Sequence, residues 1–128
     1  MKRNYLIVCI VGLLFVSCAH QPIVYTDPTI DVTSPNPPAS FYQNGDTVQI
    51  DMDLSDEDKL YNAFLFIRSD IDTFLIVTPD VVDLKTMNVD TFWVVNGVST
   101  GVSAFITASA GNYHDGITTL NIPITLIP

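Results

Sequence analysis

Thr47-Val48-Gln49-Ile50-Asp51-Met52-Asp53-Leu54 is the stretch that decides the fold. Val48, Ile50, Met52 and Leu54 alternate with Thr47, Gln49, Asp51 and Asp53. Period two places the apolar four on one face of a strand and the two carboxylates on the other. Such a strand has one buried face and one wet face. Working outward, Asn44-Gly45-Asp46 marks a turn before it, and the charged run Ser55-Asp56-Glu57-Asp58-Lys59 marks a loop after it.

The same reading gives further strands over residues 29–32, 61–68, 73–77, 89–95, 102–108 and 117–127. Residues 79–88 are read as a turn of helix or a bulge. The run Ala110-Gly111-Asn112-Tyr113-His114-Asp115-Gly116 reads as a hairpin loop. Pro28, Pro35, Pro37 and Pro38 exclude a helix near the start of the domain. Pro123 has no backbone N–H, so the last strand is expected at an edge or paired on one side there. About seven strands with turns every 8–12 residues or so, and no amphipathic helix, predict an all-β antiparallel sandwich.

The first residues carry a different signal. Lys2 and Arg3 precede an uncharged run over residues 5–16. That run fits a secretory leader and is shorter than the roughly 20 residues needed to span a bilayer. It ends in Leu14-Phe15-Val16-Ser17-Cys18, which resembles a bacterial lipobox with Phe15 in place of the usual Leu. The resemblance implies cleavage before Cys18 and acylation of that cysteine. The expected organisation is a signal peptide over residues 1–17, a lipid anchor and tether over 18–27, and a β-sandwich over 28–128. Cys9 then leaves with the leader, so the mature domain keeps no free thiol, no disulfide and no Cys nucleophile.

The chain has 128 residues, is 48% hydrophobic, and carries 14 acidic against 5 basic side chains. After removal of the leader, Lys59, Arg68 and Lys85 stand against all 14 acids, a formal −11. This balance argues against nucleic-acid binding, which draws its affinity from clustered Lys and Arg.

The order of several motifs is similar to bacterial immunoglobulin-like domains of the cadherin and fibronectin type. They are Asp27-Pro28-Thr29-Ile30-Asp31-Val32-Thr33-Ser34-Pro35, Asn44-Gly45-Asp46-Thr47-Val48-Gln49-Ile50, Leu54-Ser55-Asp56-Glu57-Asp58-Lys59-Leu60 and Ala108-Ser109-Ala110-Gly111-Asn112. The phrasing resembles small lipoproteins of the Gram-negative outer membrane. That resemblance implies a seven-stranded immunoglobulin-like sandwich and assigns no chemistry. Ala108-Ser109-Ala110 departs from it where such domains often carry an Asp. Ala19-His20-Gln21-Pro22 lacks an acidic export cluster, and Ala19 favours the outer over the inner membrane. The periplasmic or surface-exposed face is left open.

Several residue constellations bear on chemistry. Gly97-Val98-Ser99-Thr100-Gly101 matches a nucleophile-elbow pattern, but no helix-forming segment follows, so a strand connection is expected. Asp56 and Asp58, with Asp27 or Asp31 from the entry segment, form a candidate calcium set at one end of the sandwich, without the Gly and Glu of an EF-hand loop. Asn112, Tyr113, His114 and Asp115 form a candidate ligand-contact loop, with His114 exposed. Trp93 is expected in the core, and His20 and His114 are too few for zinc. The chain is therefore expected to be a noncatalytic, lipid-anchored envelope module. It would meet the membrane through its lipid and bind a protein or glycan partner, or act as a spacer. The alternatives are a calcium-stabilised adhesion-type domain and, last, an envelope hydrolase.

Overall fold

A computed structural model describes residues 22–35 and 41–128. The leader and Cys18 lie outside the described residues. Eight strands are present among them: β1 (Thr29–Ser34), β2 (Phe41–Gln43), β3 (Thr47–Ser55), β4 (Leu60–Arg68), β5 (Thr73–Val77), β6 (Thr86–Val94), β7 (Val102–Asn112) and β8 (Ile117–Ile127). They form two sheets, β1-β3-β6 and β2-β8-β7-β4-β5. In immunoglobulin terms, β3 sits between the first and fifth long strands, and β7 sits between its hairpin partner β8 and β4. This is the A-B-E and C-F-G arrangement of an immunoglobulin-like sandwich.

The decisive stretch forms β3 as its alternation requires. Val48, Ile50, Met52 and Leu54 are buried, while Thr47, Gln49 and Asp53 are exposed. Facing them from the larger sheet are Ala63, Leu65 and Ile67 of β4, Ala104, Ile106 and Ala108 of β7, and Ile124 and Leu126 of β8. Each large aliphatic side chain in this layer contributes roughly 1.5–3 kcal/mol by leaving water. Small alanines on β7 opposite larger residues let the layers interlock at interior density. Trp93 turns inward, its ring 5.4 Å from that of Phe74.

Four differences from the sequence reading have physical causes. First, β2 is an additional strand, and it runs parallel to β8, with Phe41, Tyr42 and Gln43 opposite Thr125, Leu126 and Ile127. The sandwich is thus antiparallel except at this pair. Second, β7 continues through Asn112, because β4 and β8 flank it on both sides and supply hydrogen bonds that its Ala-Ser-Ala-Gly sequence would not secure alone. Third, β6 begins at Thr86, because residues 86–88 pair with Ser55, Leu54 and Asp53 at the end of β3. Fourth, residues 79–85 carry no helical turn. They form a tight connection in which the Leu60 amide donates to the Leu84 carbonyl at 2.8 Å and the Asp83 amide donates to the Leu60 carbonyl at 3.1 Å. Asp83 takes φ +66° there, a conformation Asp tolerates better than most residues.

Pro123 behaves as its missing donor requires. It pairs with Phe105 of β7, and β2 joins β8 only from Thr125 onward. Gly45, with φ +97°, makes the turn into β3, where the Asp46 amide donates to the Gln43 carbonyl at 2.9 Å.

The alternation in β3 makes a paired prediction. Ile50→Ala should destabilise the domain by about 2–5 kcal/mol, whereas Gln49→Ala should change it by less than about 0.5 kcal/mol. Urea unfolding of both variants measures the contrast, and similar midpoints would contradict the inward assignment.

Candidate functional site

One end of the sandwich gathers the residues singled out from the sequence. The β3–β4 loop, the β5–β6 connection, the β7–β8 hairpin and the lead-in segment over residues 22–28 all lie there. Its organiser is Asn112, which is only 6% exposed. The Asn112 Nδ2 group donates to the Thr26 carbonyl and to Asp56 Oδ2, each at 3.0 Å. Asn112 Oδ1 accepts from the His114 amide at 3.0 Å and from the Gly116 amide at 2.9 Å. Both amide protons and both carbonyl lone pairs are therefore used, the condition for burying such a group without a penalty.

The neighbouring side chains extend this clasp. The His114 ring stacks on Tyr25 with centroids 3.4 Å apart and planes 12° from parallel. His114 Nε2 lies 2.8 Å from Asp58 Oδ2. The Asp58 amide donates to Asp56 Oδ1 at 2.8 Å, so the acidic loop closes on itself. Thr118 donates its hydroxyl to the Pro28 carbonyl. A concavity of ≈ 260 Å³ remains between residues 23–26 and the Asp56, Asp58 and His114 side chains.

The candidate ligand loop thus divides. Asn112 is a strand-end residue committed to the fold, and His114 is held between Tyr25 and Asp58 with its side chain 29% exposed. His114 is an exposed residue, as expected, although the lead-in segment covers one face of its ring. Tyr113 and Asp115 remain exposed at the hairpin tip. Tyr113 tilts against Tyr61 with centroids 5.0 Å apart. Its hydroxyl lies 3.4 Å from Asp83 Oδ1, which also pairs with Lys59 at 3.2 Å. Partial desolvation, then the Asp83 carboxylate, raise the Tyr113 phenol above its ordinary value of 10.0.

Asp27, Asp56 and Asp58 reach the same end of the sandwich. Asp56 serves Asn112 and the Asp58 amide, Asp58 serves His114, and Asp27 Oδ1 packs beside Gly116. Among the described residues, no three His, Cys, Asp or Glu side chains group as a metal-holding set.

The glycine-flanked Ser99 lies at the other end. The loop before β7 is pinned by Asn44, whose Nδ2 donates to the Val98 carbonyl at 2.8 Å and whose Oδ1 accepts from the Val98 amide at 3.1 Å. Ser99 precedes β7 and His114 follows it. An 11-residue strand separates them by roughly 33 Å, so they cannot form a nucleophile–base pair.

No protein-family model matches the chain. No curated protein matches it either. Among solved structures, an engineered protein resembles it at 10% identity over 80% of this chain, with a TM-score of 0.48. This chain spans only 20% of that structure's length. The CARDB domain of a Pyrococcus furiosus protein, solved in complex with di-metal ions, resembles it at 8% identity with a TM-score of 0.46. There the match covers 81% of this chain and 96% of the other.

Three measurements check this end. Asn112→Ala should cost about 1–3 kcal/mol, because it removes four hydrogen bonds made by one buried amide to part-buried partners. Gly116→Ala should also destabilise, since its Cβ would lie 2.8 Å from Asp27 Oδ1 and 2.9 Å from Asn112 Nδ2. In an ultraviolet titration of the tyrosines, Asp83→Asn should lower the Tyr113 midpoint. The folded state holds that proton more tightly than the unfolded state. The associated stabilisation is therefore present below pH 10.0 and is lost as pH rises through the folded value.

Proposed function

We propose that the chain is a noncatalytic binding module of the cell envelope, held to the outer membrane by lipid on Cys18. Its hairpin end faces the bilayer and its β4–β5 and β6–β7 loops face away. The observation that carries this reading is the clasp of the lead-in segment onto the hairpin. Thr26 is bonded by Asn112 and Tyr25 is stacked on His114, so contact with the domain is in place seven residues after Cys18.

A long free tether would let the domain tumble over the surface; a short clasped one restricts it to one orientation. The acids at the hairpin end repel an anionic leaflet and hold the end off the lipid by a screened distance. Two or more acyl chains supply the anchoring, since one chain gives only reversible binding. The separation of Ser99 and His114 and the structural employment of Asn112, Asp56 and Asp58 support the noncatalytic reading.

Metabolic labelling with a clickable fatty acid tests the anchor. The wild-type chain should take up label and fractionate with outer membranes, and Cys18→Ala should do neither. An unlabelled wild-type chain recovered free in the periplasm would overturn the reading.

A further inference from the structure

The 14 acids are not spread evenly over the two sheets. The three-stranded sheet carries Asp31, Asp51, Asp53 and Asp90, and the remaining ten lie in loops and in the lead-in segment. The five strands of the larger sheet carry none. They carry one cation, Arg68 at the end of β4. The ion pairs among the described residues, which include every acid of the chain, are Lys59–Asp83 and His114–Asp58. Arg68 thus has no carboxylate partner in a strongly acidic protein, and it sits on the acid-free face.

The register aligns the surroundings of Arg68 into rows on that outer face. Arg68, Phe105 and Pro123 stand opposite one another across β4, β7 and β8, and Phe66, Thr107 and Asn121 form the next row. The Arg68 guanidinium carbon lies 5.2 Å from the centre of the Phe66 ring, which holds the cation near the sheet. Thr107 is buried beneath this layer and donates its hydroxyl to Asn121 Oδ1 at 2.7 Å. That bond fixes the amide, with its NH₂ group left to donate elsewhere. Phe105 remains 41% exposed. Arg68, Phe105, Thr107 and Asn121 line an open concavity of ≈ 220 Å³.

We infer that this face of the larger sheet binds an acidic glycan, with the carboxylate of one sugar unit on Arg68. The Arg68 guanidinium and the Asn121 NH₂ group are the strongest unused polar groups and both are donors, so the ligand supplies acceptors to them. A guanidinium takes a carboxylate through two parallel hydrogen bonds. The Asn121 amide donates to a sugar hydroxyl or ring oxygen. Phe105 and Pro123 give a flat apolar surface for the C–H face of a pyranose. An extended peptide is disfavoured, because peptides add to sheets through an edge rather than across a face. Asp70 and Asp72, in the β4–β5 loop beside Arg68, make no ion pair with it, and the fields of the more distant acids fall off over about 8 Å at physiological ionic strength. This inference rests on the reading of the chain as a binding module but not on its lipid anchor.

The test titrates the purified full-length chain, in detergent, with hexagalacturonate and with the neutral cellohexaose, followed by amide chemical shifts. Hexagalacturonate should give saturable shifts at Phe105, Thr107 and Asn121 that weaken with added salt. Arg68→Gln should weaken binding by roughly 10-fold to 100-fold, the range for loss of a charged hydrogen-bonding partner. Lys59→Gln, which removes a cation at the hairpin end, should leave affinity unchanged. Equal binding of cellohexaose, equal affinity in Arg68→Gln, or no saturation at millimolar hexagalacturonate would each overturn the inference. Cleavage of the bound oligosaccharide with the same Arg68 dependence would support the site and sink the noncatalytic reading instead.

Discussion

The side-chain amide of Asn112 fixes how the chain enters its own sandwich. Three segments far apart in sequence meet at this group: the lead-in through Thr26, the acidic loop through Asp56, and the hairpin through His114 and Gly116. A buried amide with every position used is worth more for specificity than for raw stability, because any other arrangement of the three segments leaves a polar group unpaired. The stacking of Tyr25 on His114 and the closeness of Gly116 to Asp27 follow from that positioning. Much of the acidity at this end therefore has a structural use: Asp56 and Asp58 hold the clasp.

The two sheets bury their inner faces against each other and divide the outer surface between two chemistries. On the three-stranded sheet, Asp51 and Asp53 face outward and share the Asn88 amide, which donates to them at 2.9 and 3.1 Å. On the five-stranded sheet the outward residues are aromatic, hydroxylic, amide or apolar, and Arg68 is its one charged side chain. A domain selected only for solubility has no need to keep one sheet free of acids while loading the other. The division gives the molecule a wet acidic side and a side suited to contact. The glycan inference and the anchored orientation are compatible, because the sheet face runs along the length of the domain and is not blocked by a membrane beneath the hairpin.

The sequence shows most of this architecture wherever period-two alternation is strong. β3 and the Ile122, Ile124 and Leu126 stretch of β8 announce their buried faces directly, and Pro123 announces its one-sided pairing. Asn44-Gly45-Asp46 is legible because a positive φ calls for glycine. Legibility fails where long-range pairing overrides local preference. Three residues, Phe41, Tyr42 and Gln43, carry too little pattern to reveal β2, whose partner lies at the far end of the chain. Gly111-Asn112 reads locally as a turn, yet β4 and β8 hold it in a strand. The Asn112–Thr26 bond spans 86 positions and has no local trace. The Arg68 face was visible in principle as five strand segments without an acid, but only once strand membership and outward direction were known.

The lead-in clasp is the observation on which the proposed function turns, since in the proposed lipoprotein it would give the lipid anchor a defined orientation. The most direct test places a fluorophore on the reconstituted lipoprotein in vesicles containing headgroup nitroxide lipids. Glu57→Cys labels the hairpin end and Thr100→Cys the opposite end, with acylated Cys18 unavailable to thiol reagents. The account predicts strong quenching at position 57 and little at position 100, roughly a strand length farther from the lipid. Equal quenching at both positions, or stronger quenching at 100, would contradict it.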